Sequence, residues 1–305
     1  MRKSRRRKPK RLLPKFITFL ALAVGLYVLT IAAGGDRDAL PEDAASPALS
    51  NPLPLDIAPG APPEGFPHFT ARVSTAHITD TQYLKLVNHE HPIGGPVNPE
   101  RLVTIWPDIP ARASYVTLHE TAFQFLRDLF AAAQNANFGS LFVASGFRSQ
   151  EEQRALYEGA ADRSYVMPPG HSEHQLGLAV DILSSDTASM RGSGEARWLA
   201  ENAPAFGFIL RYPEGRTYIT GTPYEPWHFR YVGRVHAWYM GKQNFVLEEY
   251  IAYLQCGGGF QANFDGRTYY VLYQRPENGM IFVPEHLSFY VSSANTGGYI
   301  VTAWR

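Results

Sequence analysis

Residues 168–183 constrain the fold of this chain more than any other stretch. They read PPGHSEHQLGLAVDIL and place His174 and Asp181 on either side of Gly177. Seven steps along a straight strand would point these two side chains to opposite faces, whereas a glycine permits the sharp bend that brings them to one point. Asp181 also lies within the apolar run AVDIL, where an unpaired carboxylate would be costly. The stretch therefore predicts a bend, then a buried strand, with two polar side chains that share a partner.

A later segment supplies the groups that would complete such a site. Residues 225–228 (EPWH) add a second imidazole and a second carboxylate, and their proline keeps the segment out of regular helix. Two imidazoles and one carboxylate suit a hydrolytic zinc ion, which also needs an open position for water and a base beside it. We predict His174, Asp181 and His228 as the ligands and Glu225 as the general base. Nitrogen and oxygen ligands discriminate poorly among divalent ions, so the identity of the metal stays open.

Further candidates lie in the loop at residues 145–149 (SGFRS), which follows an apolar run that predicts a buried strand. The Arg148 guanidinium can hold a carboxylate or a developing oxyanion, so we predict that it faces the substrate. We expect four other residues to line the same cleft: Ser145, Gln153, Ser172 and Trp227. A serine-hydrolase relay through Ser172, His174 and Asp181 is the competing hypothesis. The sequence lacks the G-x-S-x-G elbow that such an enzyme on an α/β-hydrolase fold would use.

Taken together, these motifs resemble those of the zinc D-alanyl-D-alanine carboxypeptidases, relatives of the vancomycin-resistance carboxypeptidase in the lysostaphin, D-Ala-D-Ala peptidase and hedgehog fold group. The pattern Ser-x-His-x-x-Gly-x-Ala-x-Asp spans residues 172–181, Glu-x-Trp-His spans 225–228, and SGFRS carries Phe147 where that family has Tyr. The resemblance covers about residues 80–255. It implies an α+β fold in which a small antiparallel sheet, flanked by helices, carries the zinc site. It also implies the ligands and base predicted above, with Arg148 facing the scissile carbonyl or the terminal carboxylate.

The activity implied by the resemblance is removal of the terminal D-alanine from peptidoglycan stem peptides. Two other peptidase activities remain open, namely an L,D-carboxypeptidase and an endopeptidase that cuts cross-links. A non-catalytic cell-wall binding protein with a zinc-stabilised fold is a third alternative. The presence of Glu225 speaks against it, because binding alone needs no base.

The N-terminal residues predict a membrane anchor. Residues 1–34 hold nine of the 28 basic residues and no acidic one, which leaves 19 basic against 28 acidic residues in the remainder. Residues 16–33 carry no charge, and at about 1.5 Å per residue they just cross a roughly 30 Å hydrocarbon core. The basic segment 1–15 precedes this single span, so we expect it on the cytoplasmic side of a bacterial cell membrane, with the catalytic domain extracellular. A cleaved signal peptide is the alternative, although no clear A-x-A site follows the apolar run.

Composition divides the rest of the chain into three parts. Residues 34–68 are rich in Pro, Ala, Gly, Asp and Ser and predict an extended tether. We place a zinc peptidase domain at 69–255 and a β-rich C-terminal extension at 256–305, where alternating residues and Asp265-Gly266 indicate hairpins. Acidic residues outnumber basic ones after residue 34, which argues against nucleic acid as a partner, because phosphate contacts need clustered Lys and Arg. Cys256 is the single cysteine, so no intrachain disulfide can form.

Overall fold

The computed structural model of the protein describes residues 66–94, 101–257 and 259–305. The predicted basic segment 1–15, the span 16–33 and nearly all of the tether 34–68 lie outside these ranges. Inside them, no helix combines the length and apolar character that crossing a bilayer requires.

Short strands and helices alternate along the first two thirds of the described chain, and strands alone follow. In chain order the elements are β1 (Phe69–Ser74), β2 (Leu102–Thr104), β3 (Thr117–His119), α1 (Glu120–Asn135), β4 (Leu141–Ser145), α2 (Gln150–Gly159), β5 (Ala179–Ser184), α3 (Gly194–Asn202), β6 (Phe208–Leu210), α4 (Thr217–Thr220), β7 (His228–Tyr231), α5 (Arg234–Gln243), α6 (Leu247–Gln255), β8 (Phe260–Phe264), β9 (Arg267–Gln274), β10 (Met280–Pro284), β11 (Ser288–Ser293) and β12 (Tyr299–Trp304). This arrangement of helices and small antiparallel sheets confirms the predicted α+β class.

A four-stranded antiparallel sheet, in the order β4-β5-β7-β6, positions the predicted site. Its register sets Asp181 on β5 opposite His228 on β7, and opposite Ser145 on β4. Directly opposed residues on neighbouring strands have Cβ atoms about 5 Å apart. The pairing of β5 with β7 therefore brings together two predicted ligands that are distant in the sequence.

Helix α1 packs its apolar side into the same core as this sheet. Ala122, Leu126, Leu129 and Ala133 are buried at helical spacing and share one cluster with residues of β4, β5 and β7. The sequence predicts a helix over residues 116–136 with Thr117 as its cap, and this start is wrong. Thr117–His119 instead pairs with Leu102–Thr104, and the His119 ring accepts a hydrogen bond from the backbone N–H of Thr121 in the first turn of the helix. Backbone pairing with a distant strand overrides the local capping signal.

The predicted β-rich extension forms the four-stranded sheet β11-β12-β9-β8, and β10 pairs with β1. Asp265 and Gly266 both have positive φ in the turn between β8 and β9, as the predicted two-residue hairpin requires. Helices α5 and α6 share a second apolar cluster with β8, β9 and β12. The buried His236 ring on α5 reaches across this contact, within 2.9 Å of the hydroxyls of Tyr290 and Thr302. The extension therefore packs directly on the helices that follow β7.

Candidate metal centre

The three predicted ligands converge in the folded chain. His174 lies in the 3-10 helix Glu173–Leu176, while Asp181 and His228 face each other across β5 and β7. Asp181 Oδ1 lies 3.4 Å from His174 Nε2 and 3.3 Å from His228 Nδ1. One ligand atom from each residue falls within 4.8 Å of the other two. The three side chains thus present two nitrogens and one oxygen to a common point.

This donor set fits a divalent cation such as zinc. Asp181 Oδ1 is buried and accepts no hydrogen bond, although two imidazole nitrogens flank it. Tetrahedral coordination at the usual zinc distances of about 2.0–2.1 Å places neighbouring ligand atoms roughly 3.4 Å apart. Both measured nitrogen–oxygen separations match that value. A cation would supply the partner that this buried carboxylate oxygen otherwise lacks.

Local structure fixes the His174 ring. Its Nδ1 lies 2.7 Å from the carbonyl oxygen of Gly146, which leaves Nε2 directed toward Asp181. Gly177 ends the 3-10 helix with a φ of 68°, so the chain turns there and enters β5. The sharp bend predicted at this glycine is present. It is the reason that two side chains seven residues apart reach one point.

The two imidazoles carry different charge in the metal-free protein. Burial and the nearby Arg148 guanidinium lower the pKa of His174 to about 4. Burial alone would lower the pKa of His228 as well, but contacts with Asp181 and Glu173 raise it to about 9. His228 therefore holds a proton at neutral pH. A cation at the site would displace that proton, which couples metal binding to pH.

The predicted base, Glu225, lies beside the ligands. Its Oε2 is 3.5 Å from His228 Nδ1, and the residue is 5% exposed. Burial raises the pKa of Glu225 to about 8, with the Asp181 carboxylate acting in the same direction and His228 opposing it. Pro226 follows and the backbone N–H of Glu225 donates to the carbonyl of Tyr212, so this carboxyl is held outside any regular helix. Glu225 is thus a carboxyl group with raised proton affinity at the edge of the candidate metal site.

Arg148 also lies beside these ligands, and its guanidinium group is already hydrogen-bonded to other side chains of the protein. Nη2 donates to Asp181 Oδ2 at 2.8 Å, and Nε donates to Ser145 Oγ at 3.0 Å. Nη1 lies 3.4 Å from Gln153 Oε1, while the Gln153 amide donates to the carbonyl of Met167. Ser145 and Gln153, both predicted to line the cleft, therefore brace Arg148. Arg148 in turn orients the Asp181 carboxylate.

The other two predicted cleft residues each precede a ligand histidine in the sequence, Ser172 before His174 and Trp227 before His228. Ser172 precedes the 3-10 helix and is buried, with no side-chain bond to the helix end. Trp227 is half-buried, and its ring centroid lies 6.5 Å from that of Tyr165. The serine-hydrolase alternative fails on geometry. Both ring nitrogens of His174 face other groups, the Gly146 carbonyl and Asp181, so neither is left for Ser172.

A buried ionic network lies behind His228, and the sequence predictions above do not include it. The side chain of Glu173 is fully buried; it accepts a hydrogen bond from Arg211 Nε at 2.8 Å and forms an ion pair with Arg230 Nη1 at 3.2 Å. Its second oxygen lies 3.6 Å from His228 Nε2. Burial alone would raise the pKa of Glu173, but the two guanidinium groups hold it well below its usual range. The runs FILRY and HFRYV contained the signal, because an arginine inside an apolar strand requires a buried carboxylate.

Comparison with known proteins places this geometry in a family. A family model described as "D-alanyl-D-alanine carboxypeptidase" (VanY) matches residues 115–234. A D-alanyl-D-alanine carboxypeptidase of Enterococcus faecium is 38% identical over 192 residues, which cover 63% of each protein. The chain thus spans less than two thirds of that relative.

Two shorter relatives are covered almost completely. The bifunctional D-Ala-D-Ala dipeptidase and D-Ala-D-Ala carboxypeptidase VanXYC of Enterococcus gallinarum is 36% identical, over 56% of this chain and 94% of its own length. The crystal structure of the vancomycin-resistance D,D-dipeptidase VanXYg, in complex with a D-Ala-D-Ala phosphinate analogue, superposes with a TM-score of 0.67 at 29% identity. That superposition covers 77% of this chain and 98% of VanXYg. The chain therefore belongs to the VanY family of D-alanyl-D-alanine carboxypeptidases.

Proposed function

We propose that this protein is a zinc D,D-carboxypeptidase that removes the terminal D-alanine from peptidoglycan stem peptides. The observation that carries the proposal is the convergence of His174, Asp181 and His228 with Glu225 at their edge. Family membership supports the same substrate class. When bound by these three residues, zinc would lower the pKa of a water molecule toward about 7 and polarise the scissile carbonyl.

Glu225 is the proposed proton carrier. Its carboxyl lies within 3.5 Å of a ligand nitrogen, so it borders the position from which water would attack the peptide carbonyl. It accepts the proton of the attacking water and passes it to the departing amine of D-alanine. A pKa raised by burial to about 8 serves both steps, because a base near neutrality can also act as an acid.

Arg148 is the proposed electrostatic partner of the substrate. Ser145 and Gln153 hold its guanidinium next to Asp181, so its positive charge sits beside the ligands in a fixed orientation. A fixed cation at this point favours the negative charge that develops on the carbonyl oxygen, or the terminal carboxylate of the peptide.

Three variants assayed on isolated muropeptides test the proposal. We expect Glu225→Gln to lose roughly two to four orders of magnitude in turnover, as the loss of a general base does, while still binding zinc. His174→Ala should lose zinc and turnover together. Glu151→Gln makes the same chemical change at an exposed carboxylate and should retain both. Zinc bound by His174→Ala as tightly as by wild type, or full turnover after chelation, would refute the metal site.

Product masses from the same incubation separate the alternatives. Loss of one alanine from a pentapeptide stem supports the proposal, whereas shortening of a tetrapeptide stem indicates an L,D-carboxypeptidase. Separation of a cross-linked dimer into monomers indicates an endopeptidase. Retained binding to cell walls without any hydrolysis indicates a non-catalytic binding protein.

A second candidate activity is hydrolysis of free D-Ala-D-Ala. It is favoured by the similarity to VanXYC and VanXYg, which are named for D,D-dipeptidase activity. Release of D-alanine from the free dipeptide, compared with release from a pentapeptide stem at equal concentration, measures the preference. A dipeptide rate above the pentapeptide rate would assign the chain as a dipeptidase first.

We further propose that residues 16–33 anchor the protein in the bacterial cell membrane with the catalytic domain outside. The uncharged run and the basic residues before it support this arrangement. Protease added to intact spheroplasts should then digest the catalytic domain. A body that stays protected until the membrane is permeabilised would reverse the orientation, and a soluble, shortened protein would indicate cleavage.

A further inference from the structure

The buried carboxylate of Glu173 faces the second ring nitrogen of His228. His228 directs Nδ1 toward Asp181, and its Nε2 is buried without a hydrogen-bond partner. Glu173 Oε2 is also buried and unpartnered, and it lies 3.6 Å from that nitrogen. Two unsatisfied polar atoms of opposite kind therefore face each other within a few tenths of an ångström of hydrogen-bond distance.

From this pairing we infer that Glu173 is a positioning residue for the metal ligand His228. Its carboxylate accepts the Nε2–H proton, which fixes the tautomer that leaves the Nδ1 lone pair free for the cation. The inference rests on the metal site proposed above. His174 has an equivalent device, since its Nδ1 lies 2.7 Å from the Gly146 carbonyl and its Nε2 is left for the site. Each imidazole thus has one nitrogen held by the protein and one presented to the metal.

Two arginines hold the Glu173 carboxylate in place by the oxygen that does not face His228. Arg211 Nε and Arg230 Nη1 both contact Oε1, which leaves Oε2 for the histidine. Both arginines are completely buried. A carboxylate fixed at one oxygen by two guanidinium groups has little freedom to rotate away from His228.

The arginines are themselves fixed from two other parts of the chain. The carboxylate of Glu248 on α6 accepts hydrogen bonds from both terminal nitrogens of Arg211, at 2.6 and 2.9 Å. Arg230 Nη2 donates to backbone carbonyls of residues 82, 83 and 85, in the segment before β2. Each arginine therefore has partners besides Glu173, in helix α6 for Arg211 and in this N-terminal segment for Arg230.

Glu173→Gln tests the inference against a matched control. Glutamine has one acceptor oxygen, which cannot serve both arginines and His228, so the ring should lose its partner. Glu248→Gln removes the same charge from the same Arg211 but leaves the contact between Glu173 and His228 intact. Zinc affinity is measured on the metal-free proteins by competition with a chromogenic chelator, and the cobalt(II)-loaded proteins give an absorption spectrum of the ligand field.

We expect Glu173→Gln to bind zinc roughly 10- to 100-fold more weakly than wild type and to shift the cobalt spectrum. Glu248→Gln should stay within about threefold of wild type, with an unchanged cobalt spectrum, whatever its thermal stability. Equal zinc affinity and identical spectra for Glu173→Gln and wild type would overturn the inference. Equal loss in both variants would also overturn it, because the effect would then belong to the ionic network as a whole.

Glu173→Asp provides a second route if the glutamine variant does not fold. It keeps the charge that the arginines need but is one methylene shorter, so it cannot reach them and His228 together. Wild-type zinc affinity in a folded Glu173→Asp variant would contradict the positioning role. A wild-type protein that binds no zinc would instead refute the proposed function, so the two failures are distinguishable.

Discussion

Gly177→Ala is the most direct test of how the sequence builds the metal site. Gly177 has a φ of 68°, and a Cβ placed on it would lie 2.6 Å from Leu102 Cδ2. Its carbonyl also accepts the backbone N–H of His119, at the start of α1. An alanine here would therefore meet two obstacles at once, a left-handed backbone and a steric clash, between two of the metal ligands.

The two effects can be separated in magnitude. A left-handed conformation costs a non-glycine residue about 1–2 kcal/mol, and inserting a methyl group into a filled space costs about 1–3 kcal/mol. The clash is with the end of the partly buried Leu102 side chain, which can shift, so the lower steric value applies and we expect Gly177→Ala to lower the free energy of unfolding by about 2–3 kcal/mol. Because the bend aligns His174 with Asp181, zinc affinity should fall as well.

Urea denaturation of the metal-free protein measures this loss, and two further variants divide it. Gly192 has a φ of 75° with nothing within 4 Å of an added Cβ, so Gly192→Ala should show only the backbone contribution. Leu102→Ala in the Gly177→Ala background should recover the steric contribution. If Gly177→Ala unfolds at the same urea concentration as Gly192→Ala and binds zinc like wild type, the bend does not set the ligand geometry.

Three further outcomes are expected. In the metal-free protein, Glu225 holds a proton in the folded state but not in the unfolded chain between pH 4.5 and its raised pKa of about 8, so its own contribution to stability should fall as pH rises through this window. Urea midpoints across that range should fall less, or rise more, with pH in Glu225→Gln than in wild type, and equal slopes in the two proteins would contradict the assignment. His236→Phe should destabilise the protein by about 1–3 kcal/mol, because the buried hydroxyls of Tyr250, Tyr290 and Thr302 lose their shared partner. Its turnover at a temperature where it is folded should match wild type, and a reduced rate would link the extension to catalysis. Dialysis against EDTA should abolish hydrolysis, and added zinc should restore it. Hydrolysis at the same rate after dialysis would show that the reaction needs no metal.

Features that depend on a short sequence pattern could be predicted from the sequence. The spacing of His174, Gly177 and Asp181 indicated both the bend and the shared partner, and the structure brings the three predicted ligands together. Ser149 and Glu152 have the spacing of a capping box in the sequence, and they form one at the start of α2. Such signals are local, because the interacting groups lie within a few residues of one another.

Features that depend on distant pairing were not accessible in the same way. Strand β3 replaces the expected first turn of α1 because β2 pairs with it. The residues next to Glu173 in the sequence gave no sign of its burial, since its partner Arg211 directly follows β6 and its partner Arg230 lies in β7. The predicted division of the chain at residue 255 stays a prediction. Helices α5 and α6, which precede residue 256, pack against the sheet that follows it, so apolar contacts join the two predicted parts.

The pairing of β1 with β10 has a mechanical consequence. Thr75 Oγ1 bonds to the Gly279 carbonyl, 204 residues further along the chain, and the β1–β10 ladder continues back to Phe69. Tension that reaches Phe69 through the preceding residues is therefore borne first by this ladder, and not by the strands that carry His228 and Asp181. In a protein pulled from that end, the β1–β10 pairing should therefore break first, while His174, Asp181 and His228 keep their positions.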